Sequence, residues 1–512
     1  MIASYYQQQI HDQHAVFDLF YRRNPFKGTY TVFAGLDRVL EFLENFRFTE
    51  SQISYLRSIL PHVQDEFFDW LSTLDTSQVN VYALDQGTFA FPSIPLLRVE
   101  GPLGICQLIE TTLLNLINYP TLICTNARRF RQAAGREAKL SEFGLRRAQG
   151  PDGGMSASKY CYIGGFDSSS NVAAGYKYGI PITGTHAHAY VQSFKSLDDV
   201  KALEIKDGKG NFTNLKDLVI SIRKTLPAAF QRTNDGELAA FIAYAQTFPR
   251  NGLFLVDTYD TLNSGVLNFI TVSKALLQCS FQPLGIRLDS GDLATLSIAA
   301  RKLIDGHLES DVASLVKIVA SNDVSEAVLN DLKQRHHKVD IFGIGTMLVT
   351  CFAQAALGCV YKLTELENEP RIKLSETVEK TSLPGRKVCY RLFIASSPFA
   401  CMDYLALEGE KEPVVGESLM VRHPFDIQKT MVVVPSKVVK LHKLVFSNGN
   451  VCGRQYDVKE SKELVDTQVL LFDQKLLDCV DGSRTFNVGV SQQLYKMLHE
   501  MLEECVYAAV LE

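Results

Sequence analysis

Short apolar runs that end in small or acidic residues recur through the middle of the chain, and most precede a segment with helical spacing. The runs lie at residues 160–163, 180–182, 253–256, 284–288, 316–320 and 339–342, and the residues after them read GGFDSSSN, TGTHAH, DTYD, DSGD, SND and GIGT. This strand–loop–helix alternation predicts a parallel α/β fold, with polar residues gathered at the strand ends where active sites lie. Periodicity alone leaves a barrel and a doubly wound sheet as open alternatives.

The alternation covers only part of the 512 residues, and this length exceeds what one hydrophobic core usually supports. We therefore predict three segments: an N-terminal α/β domain over residues 1–135, a central α/β domain over residues 136–385, and a β-rich segment with a closing helix over residues 386–512. The boundaries follow the places where the rhythm of strands and helices begins and is lost.

Local signals predict individual elements within these segments. Helical spacing is present at residues 49–60, 66–74 and 103–134. Pro120 is expected to kink or divide the last of these helices, and Ser169 and Ser290 are each expected to cap the helix that follows. Strands are expected at residues 430–434 and 437–446, a polar surface insertion at residues 195–236, and a final helix at residues 491–509.

Composition and charge argue against several classes of protein. The net charge of −5 and the pI near 6.2 leave no excess of Lys and Arg for a nucleic-acid surface, so no nucleic-acid partner is expected. No apolar stretch approaches the roughly 18 residues of a membrane helix, and the polar N-terminus lacks a signal-peptide core. The eleven cysteines form no CxxC pair, so we interpret them as reduced thiols of a cytosolic protein.

The loop Gly343-Ile344-Gly345-Thr346 follows a predicted strand and is a candidate phosphate site. Gly343 and Gly345 would let backbone amides approach an anion, and the Thr346 hydroxyl would add a hydrogen bond. A tight turn without a ligand is the structural alternative. Two more glycine-rich loops, residues 148–154 and 164–171, offer backbone donors, and Arg146 and Arg147 lie beside the first of them.

Arg287, Asp289 and Asp292 stand at the end of another apolar run. Arginine can hold a planar carboxylate with two parallel hydrogen bonds. The two aspartates can hold ribose hydroxyls or a Mg²⁺ ion that bridges pyrophosphate oxygens. An internal Arg–Asp network that caps the next helix is the alternative, but the strand-end position favours a functional site.

Asp257, His186 and His188 complete the set of candidates. Asp257 opens the strand-end segment DTYD and can be either a substrate ligand or a helix N-cap. The i, i+2 spacing of the histidines can fit a metal, although no third ligand is near in sequence. An imidazole can also be a nucleophile or a proton carrier, or it can be structural; the glycine and threonine neighbours favour a site.

Six collinear motifs, RRAQGPDGG, GGFDSSSN, GTHAHAY, LVDTYD, GIRLDSGDL and IFGIGT, resemble those of the nicotinate phosphoribosyltransferase family. The resemblance runs from about His14 to the C-terminal segment. It implies an irregular α/β (TIM-like) barrel of the type II phosphoribosyltransferases, with an N-terminal α/β domain, a β-rich C-terminal segment and a homodimeric active site. It also implies that nicotinate and phosphoribosyl pyrophosphate form nicotinate mononucleotide and pyrophosphate in NAD synthesis, with ATP as co-substrate, a transferase reaction with ligase character.

The resemblance assigns roles to individual residues. His188 matches the histidine of the family pattern GTxAH that ATP phosphorylates transiently, whereas His186 falls on the variable position. Thr185 and Arg287 match positions that hold nicotinate, and Thr346 matches the position at the phosphoribosyl phosphate.

The remaining candidates complete the implied reaction. Asp289 and Asp292 are expected to hold ribose and Mg²⁺, or Mn²⁺, which would accompany pyrophosphate rather than occupy a dedicated protein site. Gly343, Gly345 and Asp257 are expected to contact substrate.

The chain departs from the family pattern at its N-terminus. Family members usually begin with a segment like LTDxYxxTM, whose tyrosine stacks on nicotinate in the dimer. Met1 aligns with the Met of that segment, and Tyr5 and Tyr6 do not match its tyrosine. This departure motivates one alternative, a truncated, catalytically poor binding or regulatory subunit of the same fold. A second alternative, a nicotinamide phosphoribosyltransferase, is open because related enzymes share parts of the loop that follows Arg287.

Overall fold

The structure is a computed structural model that describes residues 1–208, 210–375 and 380–504. The chain divides into two compact units, one formed by Met1–Asn126 with Ala353–Glu512 and the other by Ala127–Phe352. The boundaries of these units differ from those of the three predicted segments, because strands from both ends of the sequence share one sheet of the first unit.

The first part of the chain supplies six helices and five strands. The helices are α1 (Ile2–Gln7), α2 (Leu36–Glu44), α3 (Glu50–Ile59), α4 (Asp65–Thr73), α5 (Leu103–Leu108) and α6 (Glu110–Ala134). The strands are β1 (His14–Phe20), β2 (Thr31–Val32), β3 (Asn80–Ala83), β4 (Phe89–Ala90) and β5 (Leu97–Pro102). The helices predicted at residues 49–60 and 66–74 are confirmed as α3 and α4, and Thr49 with Gln52 forms a capping box at the start of α3.

Pro120 does not divide the long helix as predicted. It lies inside α6, and the break falls earlier, between α5 and α6. Pro120 removes the helical donor to the Leu116 carbonyl, and the backbone of Gly35 packs against that carbonyl instead. A Cβ at Gly35, where φ is +100°, would overlap the Leu116 oxygen.

The second unit alternates strands and helices. Its helices are α7 (Gly150–Ile163), α8 (Val172–Tyr178), α9 (His188–Gln192), α10 (Leu215–Thr225), α11 (Ala228–Gln231), α12 (Asp235–Thr247), α13 (Val266–Gln278), α14 (Leu293–His307), α15 (Ser310–Leu315), α16 (Glu326–Gln334) and α17 (Thr346–Val349). Its strands are β6 (Lys139–Glu142), β7 (Ser168–Ser169), β8 (Glu204–Lys206), β9 (Phe212–Asn214), β10 (Leu253–Leu255), β11 (Gly285–Leu288), β12 (Lys317–Ala320) and β13 (Ile341–Ile344). Six of the strands form a parallel sheet in the order β10-β11-β12-β13-β6-β7.

A seam segment, residues 182–186, connects the two edges of this sheet. Ile182 forms a parallel bridge with Ser169 of β7. On the other side, Thr185 Oγ1 donates to the Leu253 carbonyl of β10 at 2.5 Å, and Leu255 N donates to His186 Nε2 at 3.2 Å. The seam is thus bonded to both edge strands, and the predicted irregular barrel is confirmed.

Several local predictions in this unit differ from the structure. Residues 160–163 end helix α7 and are not a strand, because an unbroken apolar run fits a buried helix as well as a strand. Asn171, and not Ser169, caps α8 through its side chain. The insertion at residues 195–236 is not merely polar, since it contains α10, which packs on α13 with Val219 buried.

The rest of the chain returns to the first unit and is rich in strands. The strands are β14 (Val360–Leu366), β15 (Glu369–Pro370), β16 (Lys387–Phe393), β17 (Ala400–Leu407), β18 (Leu419–Arg422), β19 (Thr430–Val433), β20 (Lys437–Lys440), β21 (Lys443–Ser447), β22 (Asn450–Val451) and β23 (Asn487–Val490). The helices are α18 (Val458–Val469), α19 (Gln474–Leu477) and α20 (Gln492–Glu504). The part of the predicted closing helix after residue 504 lies outside the described residues.

Together with β1, β3 and β5, these strands form two large sheets in the first unit. One has the order β15-β14-β1-β5-β3-β21-β22, and the other has the order β19-β18-β23-β17-β16-β20. The single strand predicted at residues 437–446 is therefore two strands, β20 and β21, in different sheets.

None of the described helices is long and apolar enough to cross a membrane.

His186 makes the barrel seam sensitive to acid. Burial lowers the pKa of its ring to about 4, because a proton on the buried imidazole would be poorly solvated. Below the unfolded pKa of about 6.5, the unfolded chain therefore binds a proton that the folded ring does not. Stability that is fully present above that pKa is lost as the pH falls towards 4.

Replacing His186 with Gln, which can accept from Leu255 N and does not titrate, should remove this loss. We expect wild type to lose about 2 kcal/mol more unfolding free energy than His186→Gln between pH 7 and pH 5. Urea unfolding of both proteins at both pH values measures the difference. The buried ring of His442, whose pKa burial also lowers to about 4, is common to both proteins and cancels. Equal losses in the two proteins would contradict the assignment.

Candidate active site

A cavity of 230 Å³ opens at the carboxyl ends of β6, β11, β12 and β13. Its lining combines three arginines, an aromatic ring, two carboxylates, three small polar side chains, two glycines and two apolar side chains. These residues are Phe143, Arg146, Arg147, Arg287, Asp289, Ser321, Asn322, Asp323, Val324, Gly343, Gly345, Thr346 and Met347. The volume is below the roughly 300–1,000 Å³ of pockets for drug-sized ligands. The enclosed space therefore holds only a small part of a substrate, such as one ring or one anionic group.

Arg287 on β11 is the best-anchored cation in the cavity. Its Nε donates to Ser321 Oγ at 2.7 Å, and its Nη2 lies 2.9 Å from Asp289 Oδ1. Ser321 Oγ donates to the same carboxylate oxygen at 2.6 Å. The guanidinium carbon is 5.7 Å from the centre of the Phe143 ring. Within the described ranges no hydrogen bond occupies Nη1, so one end of the guanidinium is free for an acceptor.

Asp257 ties the end of β10 to the loop after β11. Its Oδ2 accepts from Asp289 N at 2.9 Å and from Ser290 Oγ at 2.5 Å. Its Oδ1 is buried and has no hydrogen-bond partner among the described residues, and the side chain is 1% exposed. Asp257 is thus a cross-link between strand ends and not a helix N-cap. The predicted capping role of Ser290 is wrong, because Asp292 occupies the N-cap position of α14.

His188 faces the same two carboxylates. It is the first residue of α9, its Nδ1 lies 3.1 Å from Thr258 Oγ1, and its side chain is 40% exposed. Its Nε2 is 3.7 Å from Asp289 Oδ2 and 3.9 Å from Asp257 Oδ1. An accessible imidazole held on one side by a hydroxyl and flanked by acids has the environment of a nucleophile or a proton carrier.

The neighbouring candidates on the seam have structural partners. His186 is packed among Tyr190, Phe241 and Tyr244, and its Nε2 accepts from β10. The Thr185 hydroxyl is bonded to the backbone of β10. The two histidines therefore do not converge on one metal, and the nicotinate contact of Thr185 stays a prediction.

Asp292 is not brought into the cavity with Asp289. Its Oδ2 lies 2.6 Å from Arg335 Nη2 and accepts from Thr295 Oγ1 at 2.6 Å. These bonds lower the pKa of Asp292 to about 2. The side chain is 48% exposed, and the predicted contact with ribose or Mg²⁺ stays a prediction.

Gly343, Gly345 and Thr346 do line the cavity, as the phosphate-site hypothesis requires. The glycines also have a packing reason, since a Cβ at Gly343 would overlap the Phe143 ring. A Cβ at Gly345 would lie 3.2 Å from the Phe143 carbonyl oxygen. Close packing thus explains the glycines with or without a phosphate.

A resident metal site is not apparent. In the parts of the chain that the structure describes, no group of three or more His, Cys, Asp or Glu side chains is arranged to hold a metal ion. Asp289 and Asp292 are each already paired with an arginine. The binding of Mg²⁺ or Mn²⁺ together with pyrophosphate stays a prediction.

Sequence reasoning did not single out Phe143, Ser321 or Glu142. Ser321 follows β12 in the segment SND, so its strand-end position was the signal that could have identified it. Glu142 is buried and accepts from Ser158 Oγ and Ser169 Oγ at 2.8 and 2.5 Å, which ties β6 to α7 and β7. No local pattern predicts either that buried network or the approach of Phe143 to Arg287.

Comparison with known proteins agrees with this architecture. Residues 1–118, 138–392 and 386–498 match models of the nicotinate phosphoribosyltransferase N-terminal domain, family and C-terminal domain. Nicotinate phosphoribosyltransferase 1 of Arabidopsis thaliana is 46% identical over 98% of this chain and 91% of its own length. The human nicotinate phosphoribosyltransferase is 42% identical over 88% of this chain and 85% of its own length.

A solved structure gives the same result. The crystal structure of human nicotinic acid phosphoribosyltransferase superimposes with a TM-score of 0.88 at 36% identity, covering 98% of both chains. This chain therefore belongs to the nicotinate phosphoribosyltransferase family of enzymes.

Proposed function

We propose that this chain transfers the phosphoribosyl group of phosphoribosyl pyrophosphate to nicotinate, which forms nicotinate mononucleotide and pyrophosphate for NAD synthesis. The observation that carries the proposal is the free end of Arg287 beside the Phe143 ring in a small cavity. A guanidinium is the preferred partner of a carboxylate, and an aromatic face suits a pyridine ring. Arg146 and Arg147 are exposed in the same lining and would meet the phosphate groups.

The chemistry follows from this placement. The pyridine nitrogen forms a bond to the anomeric carbon as the bond from that carbon to the pyrophosphate oxygen breaks, so positive charge develops on the ribose. We assign the stabilisation of that charge to the carboxylate of Asp289, which lines the cavity. Mg²⁺ or Mn²⁺ bound to pyrophosphate would neutralise the leaving group, with Asp289 or Asp292 as its proposed protein neighbour.

ATP is the proposed co-substrate, and His188 is the proposed acceptor of its phosphoryl group. A ring nitrogen of His188 takes the γ-phosphoryl group and ADP leaves; water later cleaves the phosphorus–nitrogen bond and releases phosphate. Phosphorylation adds negative charge to a ring that lies 3.7 Å from Asp289. Because Asp289 is also the partner of Arg287, repulsion there would change how firmly Arg287 is held for nicotinate.

The proposal also includes a homodimer and a cytosolic location. The dimer is supported by the family resemblance. No disulfide joins any of the ten cysteines of the described ranges, which supports a reducing compartment.

Arg287→Gln should raise the KM for nicotinate by about 10- to 100-fold, the range that a charged hydrogen bond accounts for. The KM for phosphoribosyl pyrophosphate should change far less, because Arg146 and Arg147 remain. Steady-state kinetics with each substrate varied in turn measures both values. Arg301→Gln is the matched control, since Arg301 is about as buried as Arg287 and pairs with Asp340 outside the cavity lining. Equal increases in both KM values would count against the role of Arg287.

His188→Ala should abolish the phosphohistidine and the stimulation by ATP, while a slow ATP-independent reaction remains. The measurements are incorporation of label from γ-labelled ATP and product formation with and without ATP. His186→Gln should retain the label, because His186 is part of the seam and its ring is bonded to β10. Normal coupling in His188→Ala would reject the assignment.

A further inference from the structure

A buried carboxyl group lies behind the site and takes no part in the proposed chemistry. Glu237, in the first turn of α12, has no exposed surface. Its Oε2 accepts from Ser264 Oγ at 2.6 Å and from Asn268 Nδ2 at 3.0 Å. Its Oε1 and the Asn268 Oδ1 are both buried, and neither has a hydrogen-bond partner in the part of the chain that the structure describes. A buried polar group that is incompletely bonded is destabilising and calls for a functional explanation.

Ser264 connects Glu237 to the segment that carries Thr258. Ser264 lies in a π-helical turn, Thr261–Gly265. Such turns are rare in proteins, and those that occur are often found at functional sites. The turn begins with Asp260, whose Oδ1 accepts from two backbone amides of the turn at 3.1 and 2.8 Å. Hydrogen bonds thus hold the turn at its start and, through Glu237, near its end.

The same turn is pressed against the end of β10. A Cβ at Gly265 would overlap the Val256 carbonyl, so the two backbones are in direct contact. Val256 N donates to the Arg287 carbonyl at 3.2 Å, which joins this strand end to β11. Only residues 257–260 lie between these fixed points, and within them Thr258 Oγ1 meets His188 Nδ1 at 3.1 Å.

We propose that Glu237 is a positioning residue for His188. By holding the π-helical turn through Ser264, it fixes the backbone that carries Thr258, and Thr258 orients the imidazole. The effect of Glu237 on catalysis rests on the proposed phosphorylation of His188. Its effect on the position of the His188 ring does not depend on that phosphorylation.

The protonation of Glu237 indicates how the interaction works. Burial raises the pKa of Glu237 to about 7, and the carboxylates of Asp257 and Asp260 act in the same direction. An uncharged carboxyl group is therefore populated at neutral pH. Gln is the neutral isostere and should preserve the bond from Ser264.

The test compares Ser264→Ala and Glu237→Ala with the conservative variant Glu237→Gln. Ser273→Ala is the matched control. Ser273 lies on α13, the helix that carries Asn268, and its buried hydroxyl has no hydrogen-bond partner among the described residues. The first readout is the rate at which diethyl pyrocarbonate modifies His188, followed by mass spectrometry against the exposed His62 and His336. The second is the ratio of turnover with ATP to turnover without it, and the melting temperature is recorded for each variant.

Ser264→Ala and Glu237→Ala should increase the modification rate of His188 about fivefold, the factor that one net hydrogen bond corresponds to. They should also lower the ATP ratio, while Glu237→Gln and Ser273→Ala should match wild type in both readouts. If Glu237→Ala does not fold, Ser264→Ala and Glu237→Gln decide the question.

Three results would overturn the proposal: an unchanged His188 rate in Ser264→Ala, the same increase in Ser273→Ala, or the loss of positioning in Glu237→Gln. The modification rate requires no ATP. If wild-type turnover did not respond to ATP, the ATP coupling would fail while the positioning role would still be decided by the His188 rate.

Discussion

The Arg287–Asp289 ion pair is the interaction on which the candidate site depends. The two side chains are only 14% and 20% exposed, so either charge alone would be poorly solvated. Ser321 bonds to both of them, and the carboxylate of Asp257 holds the backbone amide of Asp289. Removing one member leaves polar atoms of the others unsatisfied, and the four residues therefore constrain one another's positions.

This pairing places two kinds of chemistry along one edge of the barrel. Towards the cavity, Arg287 and the exposed arginines of the lining offer positive charge to anions. Away from it, His188 faces carboxylates at 3.7 and 3.9 Å. Asp289 belongs to both groups, and in the proposed mechanism it is the physical link by which the state of His188 influences the nicotinate position.

Much of this edge could be predicted because the information is local. The runs that became β10, β11, β12 and β13 are short, apolar and followed at once by polar residues, and chain order alone places those residues at one edge. Asp257, Arg287, Asp289 and Thr346 were identified on that basis.

What could not be predicted depends on contacts between elements distant in sequence. His186 and His188 have the same local surroundings, and only the bond from β10 to His186 shows that one ring belongs to the seam and the other to the site. The run YCYI at residues 160–163 is apolar throughout, so its pattern could not distinguish the buried end of α7 from a strand. Asp292 stands next to the site in sequence, but Arg335, which follows the end of α16, holds it outside the cavity.

The central claim is that this chain makes nicotinate mononucleotide and uses ATP to do so. The most direct measurement is product formation by the purified 512-residue chain from phosphoribosyl pyrophosphate, with nicotinate or nicotinamide as acceptor and with or without ATP. We expect product from nicotinate, faster formation with ATP, and far less product from nicotinamide. A preference for nicotinamide, or no product from either acceptor, would contradict this claim.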